Sequence, residues 1–85
     1  MASYDVRIRP AAVKELQRIP LQDRRRLMAR LHDLAGEPRP MGSEKMSGLP
    51  LYRIRQGNYR VTYEIADRER VITVFRIAHR REAYR

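Results

Sequence analysis

From Tyr52 to Ile65 the chain alternates apolar and polar residues, with one interruption at Gln56-Gly57-Asn58. A period of two sends successive side chains to opposite faces of a strand, and a Gly-Asn step between two such runs is hairpin chemistry. Strands are therefore predicted over about 51–55 and 59–66. A third follows over 70–78, after the turn residues Ala66-Asp67-Arg68-Glu69. Three strands joined by short turns make an antiparallel run whose apolar face needs a cover.

The first half of the chain supplies the cover. Tyr4-Asp5-Val6-Arg7-Ile8-Arg9 alternates and reads as a further strand. Pro10 stops it and suits the first turn of a helix. Ala12, Val13, Leu16 and Ile19 recur at helical spacing until Pro20 intervenes. A second helix is predicted from Leu21 to Ala35, with Leu27, Leu31, Leu34 and Ala35 on one stripe, Met28 at its edge and Gly36 as its stop. The two helices should form a hairpin around Ile19-Pro20. Gly36 to Pro50 holds three prolines, three glycines and two serines without periodicity, and reads as a loop. The order β-α-α-β-β-β predicts an α+β fold over residues 1–85, one domain: a small, mostly antiparallel sheet with a helical hairpin packed on one face.

Alternation also assigns the faces. Tyr52, Ile54, Tyr59, Val61, Tyr63 and Ile65 should look toward the helices. Arg53 and Arg55 then share the open face with Arg60, Thr62 and Glu64. The last strand is apolar on both faces, which suits a central strand. Its Arg76 breaks the pattern and is expected near the open face or its rim.

Charge narrows the partners. Nineteen basic residues stand against ten acidic ones, a net charge of +9. Only Lys14 and Lys45 are lysine; the other seventeen are arginine, whose planar fork grips phosphate in two places and stacks on bases. The excess is spread along the chain: ten basic against six acidic in residues 1–50, nine against four in residues 51–85. Position, not total, must locate a site. There is no cysteine, so disulfides and cysteine-based zinc sites are excluded and a reducing cytoplasmic setting is expected. The N-terminal residues lack the pattern of a signal peptide, and no apolar run approaches the ~20 residues of a membrane span.

Arg53, Arg55, Arg60 and Arg80 are the candidate anion-binding set. Cations side by side on a sheet repel, and an anionic ligand relieves the repulsion. His79 is the candidate proton-transfer residue, able to act as base or acid near neutral pH; as an alternative it caps the strand end. Tyr84 could stack on a base or donate to a phosphate, or it could anchor the tail to the core. Glu64 and Glu82 fit ion pairs better than catalysis. His32 lies within a helix and reads as structural, and two histidines this far apart offer no metal spacing.

The run Leu49-Pro50-Leu51-Tyr52-Arg53-Ile54-Arg55-Gln56-Gly57-Asn58-Tyr59-Arg60-Val61-Thr62-Tyr63-Glu64-Ile65, followed by Val74 to Ala78 and the closing His79-Arg80-Arg81-Glu82-Ala83-Tyr84-Arg85, resembles the RelE branch of the RelE/ParE toxin superfamily. The resemblance covers the whole chain. It implies the toxin of a type II toxin–antitoxin pair: an endoribonuclease, without metal or cofactor, that cleaves mRNA on the ribosome, typically in the A site. It also implies an acidic, RelB-like antitoxin that wraps and neutralises the toxin in a hetero-oligomer. By position, Arg53 and Arg55 match the two basic residues of the family's second strand. Arg60 matches the arginine of the next strand, Arg80 the arginine after the last strand, and Tyr84 the C-terminal tyrosine. In the family the residues at these positions hold the scissile phosphate, stabilise the charged transition state and stack on the base. The RNA 2′-OH attacks its own neighbouring phosphate. The best-known member has lysines at the positions of Arg53 and Arg55, one of them proposed as general base. Arginine is effectively never deprotonated. His79 is then the candidate base, or substrate geometry carries most of the rate.

Two other readings stay open. A ParE-like toxin shares the fold and poisons DNA gyrase by binding. A non-catalytic RNA-binding module would bind RNA in a salt-sensitive way without cutting it.

Overall fold

In the computed structural model, which describes residues 3–81, β1 (Asp5–Ile8) leads into α1 (Pro10–Gln17) and α2 (Leu21–Gly36). A long connection carries the two-residue β2 (Glu44–Lys45) before β3 (Leu51–Gln56), β4 (Tyr59–Ala66) and β5 (Val71–His79). Both helices begin at prolines. Pro10 is the first helical residue of α1, where a missing N–H costs nothing. Pro20 caps α2, its carbonyl accepting from the Arg24 N–H at 2.9 Å. The Arg24 guanidinium donates to the carbonyls of Ile19 at 3.1 Å and Gln17 at 3.4 Å. Carbonyls at a helix end have no partner within the helix, so Arg24 braces the joint between the two.

The five strands form one sheet in the order β1-β5-β4-β3-β2. Strand β1 lies parallel to β5, from Asp5 beside Val71 to Ile8 beside Val74, and every other pairing is antiparallel. The α+β architecture and the helix and strand order agree with the sequence reading. The addition is β2, inside the segment expected to be loop throughout. Glu44 and Lys45 pair with Arg53 and Tyr52 at the edge of the sheet.

The core is the meeting of the two predicted apolar patterns. Ala12, Leu16, Ile19, Leu27, Leu31 and Leu34 from the helical layer bury against Ile54, Val61, Tyr63, Ile72, Val74 and Ile77 from the sheet. Tyr52, Tyr59 and Ile65 pack against this cluster half-buried. Val61 stands directly opposite Ile54 on one side and Ile77 on the other, as residues that share a face must.

Strand β5 departs from simple alternation. Thr62 pairs with Arg76, but Tyr63 pairs with Val74, so Phe75 is an extra residue, a β-bulge. Before the bulge Ile72 and Val74 face the helices; after it Ile77 does. Arg76 was expected near the open face or its rim. Instead it reaches α1, where Glu15 accepts from the Arg76 guanidinium at 2.9 Å and from the Ile77 N–H at 2.8 Å. One carboxylate thus secures the bulge to the helix.

The connection after α2 is held at the end of the sheet where β4 finishes. Asp67 accepts from the Tyr4 hydroxyl at 2.7 Å and from both terminal nitrogens of Arg39, at 3.2 and 2.8 Å. Arg39 Nε donates to the Tyr52 hydroxyl at 3.1 Å. Those bonds hold the Asp67 carboxyl at a pKa of about 2, below the ordinary carboxylate range, with Arg39 the larger cause and Tyr4 the second. Beneath the clasp the fully buried Tyr63 donates its hydroxyl to the Pro38 carbonyl at 2.7 Å, and its ring stacks on Tyr52 at 5.9 Å. Burial pushes the Tyr63 phenol above its usual pKa.

Candidate nucleic-acid interface

The opposite end of the sheet is built around a two-residue hairpin. Gln56 pairs with Tyr59, leaving Gly57 and Asn58 as the turn. Gly57 has φ +60°, the left-handed region that a first turn position of this kind requires and that glycine enters without steric cost. The tight turn holds the end of β3 and the start of β4 in register, so Arg55 stands directly opposite Arg60. The turn also receives β5: the Arg80 N–H donates to the Asn58 carbonyl at 2.7 Å. A cleft of about 280 Å³ opens there, lined by Arg55, Gly57, Asn58, Tyr59, Arg60, Arg80 and Arg81.

Four of its seven lining residues are arginine and none is acidic. Arg55 and Arg80 are exposed, whereas Arg60 is only 7% exposed and forms the floor. Like charges on adjacent strands repel, and an anionic ligand relieves that repulsion. A phosphodiester, with oxygens pointing several ways, fits such a surround through forked hydrogen bonds.

The remaining sequence candidates divide. Arg53 shares the open face but stands outside the cleft wall, beside β2. Its guanidinium pairs with Glu44 at 3.8 Å, and its Nε is buried without a hydrogen-bond partner. Cross-strand pairing brings Glu44 and Arg53 face to face. His79 does not line this cleft. It pairs across the ladder with Tyr59 and so takes the helix face, where their rings meet edge to face at 5.4 Å. There it lines a separate cavity with Glu15, Arg18, Ile19, Arg76 and Ile77. The bulge at Phe75 is the reason: counting by twos from Ile72 without it would put His79 on the open face. His79 Nδ1 accepts from the Arg81 N–H at 3.2 Å, the strand-end cap that was the other reading of this residue. Tyr84 and Glu82 lie outside the described residues.

Sequence reasoning missed three contributors. Arg81 walls the cleft, and only its adjacency to Arg80 hinted at it. The Asn58 carbonyl fixes Arg80 through its backbone, which no side-chain pattern reports. Glu44 fell in a stretch without periodicity. Among the described residues no cluster of His, Cys, Asp and Glu side chains is arranged to hold a metal ion. No helix among them is long and apolar enough to cross a membrane.

A helical pair over one face of a small mixed sheet, with a cationic cleft at the hairpin end, defines a class of small basic α+β proteins. The family described as ParE toxin of the type II toxin–antitoxin system parDE matches residues 6–84. The chain belongs to the RelE/ParE toxin superfamily, with a RelE-like fold, and is a type II toxin. The toxin in the archaeal RelE–RelB complex from Pyrococcus horikoshii is 33% identical, over 92% of this chain and 96% of that one, with a TM-score of 0.84. The intact E. coli RelBE toxin–antitoxin complex gives 25% identity over 91% and 96%, with a TM-score of 0.80. The RelBE2 complex from Mycobacterium tuberculosis shares the fold, at 24% identity over 91% and 98% and a TM-score of 0.80. No curated protein matches the chain significantly.

Proposed function

We propose that this toxin is an endoribonuclease that cuts mRNA, acting on the ribosome at the A site. The observation that carries the reading is the cleft at the hairpin end, walled by Arg55, Arg60, Arg80 and Arg81. The substrate brings its own nucleophile. The 2′-OH attacks the adjacent phosphorus and gives up its proton to water, an O2′–P bond forms, the P–O5′ bond breaks, and the 5′ oxygen takes a proton from water as it leaves. Negative charge grows on the phosphoryl oxygens, where fixed guanidinium groups stabilise it most. Alignment of attacking and leaving oxygens supplies the rest. In this reading Arg55 and Arg60 clamp the phosphate, Arg80 stabilises the developing charge, and Arg53 extends the clamp toward β2. Tyr84 orients the base. His79 is given no part in removing the 2′-OH proton, because its ring lies on the other face of the sheet.

An antitoxin partner belongs to the same proposal. The similar RelE chains from P. horikoshii and E. coli occur in complexes with RelB antitoxins. A chain with net charge +9 favours an acidic segment that folds on contact and covers the cationic cleft.

The test is a primer-extension map of mRNA cleavage in a translating extract, run beside Arg80→Ala protein and ribosome-free RNA. Cuts at A-site codons that vanish with Arg80→Ala support the proposal. Cuts on free RNA as well would make the nuclease ribosome-independent. The matched ParE family favours a second reading, poisoning of DNA gyrase. Intact mRNA together with inhibited supercoiling would replace the first reading with the second.

A further inference from the structure

We infer that His79 is a positioning residue that caps the turn after β5 and so aims Arg80 and Arg81 into the cleft; this rests on the polyanion-binding reading above. Two backbone donors leave the end of β5, and each is satisfied by a different element. The Arg80 N–H goes to the hairpin turn at Asn58, at 2.7 Å, and the Arg81 N–H returns to His79 Nδ1, at 3.2 Å. These bonds bend the chain so that consecutive arginines both line the cleft. Like charges side by side oppose that bend, and the second bond works against the repulsion.

The imidazole packs from the helix face against the Tyr59 ring, the two planes perpendicular with centroids 5.4 Å apart, and Tyr59 also lines the cleft. To accept from a backbone N–H, the ring uses the lone pair of Nδ1. This is the bond that Asn makes to the N–H two residues on in an Asx turn, its Oδ1 standing where imidazole Nδ1 stands. Glutamine carries its amide one bond further out, and phenylalanine keeps the aromatic packing but offers no acceptor.

These chemistries separate capping from proton transfer. The experiment compares the parent with His79→Asn, His79→Gln and His79→Phe. It measures binding of a fluorescent single-stranded RNA oligomer against salt concentration, and hydrogen exchange at the Arg81 amide. The expected result is that His79→Asn keeps affinity within about 3-fold and keeps Arg81 protection. The Gln and Phe variants lose Arg81 protection and bind RNA about 10-fold more weakly. Their salt dependence falls by about one phosphate contact, a slope change of roughly 0.7 on single strands. An Asn variant as impaired as Phe, or a Phe variant that binds like the parent, overturns the inference. A parent that binds no RNA overturns the polyanion reading instead. The amide comparison then decides the cap by itself, and equal Arg81 protection in all four proteins rejects it.

Discussion

At one end of the sheet Arg39 meets Asp67 through two hydrogen bonds and adds Tyr52, while Tyr4 completes the carboxylate's partners. At the other end Arg55, Arg60, Arg80 and Arg81 wall a cleft in which no acidic side chain stands among the described residues. The same side chain serves opposite ends in the two places. Where the fold supplies a carboxylate, arginine ties a long connection to the sheet. Where it supplies other arginines, like charges stand side by side, an arrangement that an anion would relieve. A residue-type count cannot tell the two apart; the neighbours across the strand can.

The sharpest way to break this comparison is to remove cleft arginines. Arg55→Ala and Arg80→Ala, both at exposed positions, are each expected to slow RNA cleavage on the order of 10²-fold, the usual loss for one transition-state donor. Chemical denaturation should show stability unchanged or slightly raised. A large loss of stability would mean that these arginines hold the fold after all.

At the clasp end the expectation reverses. Tyr63→Phe leaves the Pro38 carbonyl without its buried donor and should cost about 1–3 kcal/mol in urea unfolding, with RNA binding intact. Weakened RNA binding at unchanged stability would show that the two ends are coupled.

A smaller effect comes from acid. The folded pKa of Asp67, about 2, lies below its ordinary value of 3.8. The stability it contributes is therefore present above that ordinary value and is lost as pH falls from about 4 through 2. Arg39→Ala should lower the Tm at neutral pH and flatten this acid limb, with cleavage unaffected. A limb of the same size in both proteins would assign it to other carboxylates.

The smallest expected change is at Arg70, held at φ +53° in the turn before β5. Arg70→Gly removes the cost of a left-handed backbone and should raise stability by up to about 1 kcal/mol in thermal denaturation. A drop would show that the Arg70 side chain matters more to Asp67 than its backbone strain.

The sequence by itself determined the elements and the core. Prolines at 10 and 20 set the helix starts, Gly57 set the hairpin, and the alternation through Ile54, Val61 and Tyr63 set the buried face. These are signals written within a few residues, in fixed backbone dihedrals and in periods of two or 3.6. It also put Arg55 beside Arg60, because a tight turn leaves the register no freedom. Only the tertiary structure decided the rest. The parallel pairing of β1 with β5, the recruitment of Glu44 and Lys45 as an edge strand, and the meeting of Arg39 with Asp67 join residues far apart in the chain, where no local period reaches. The face of His79 was decided the same way. One extra residue at Phe75 reverses the phase of every side chain after it, and the place of that residue is set by the partner strand and by Glu15 from α1.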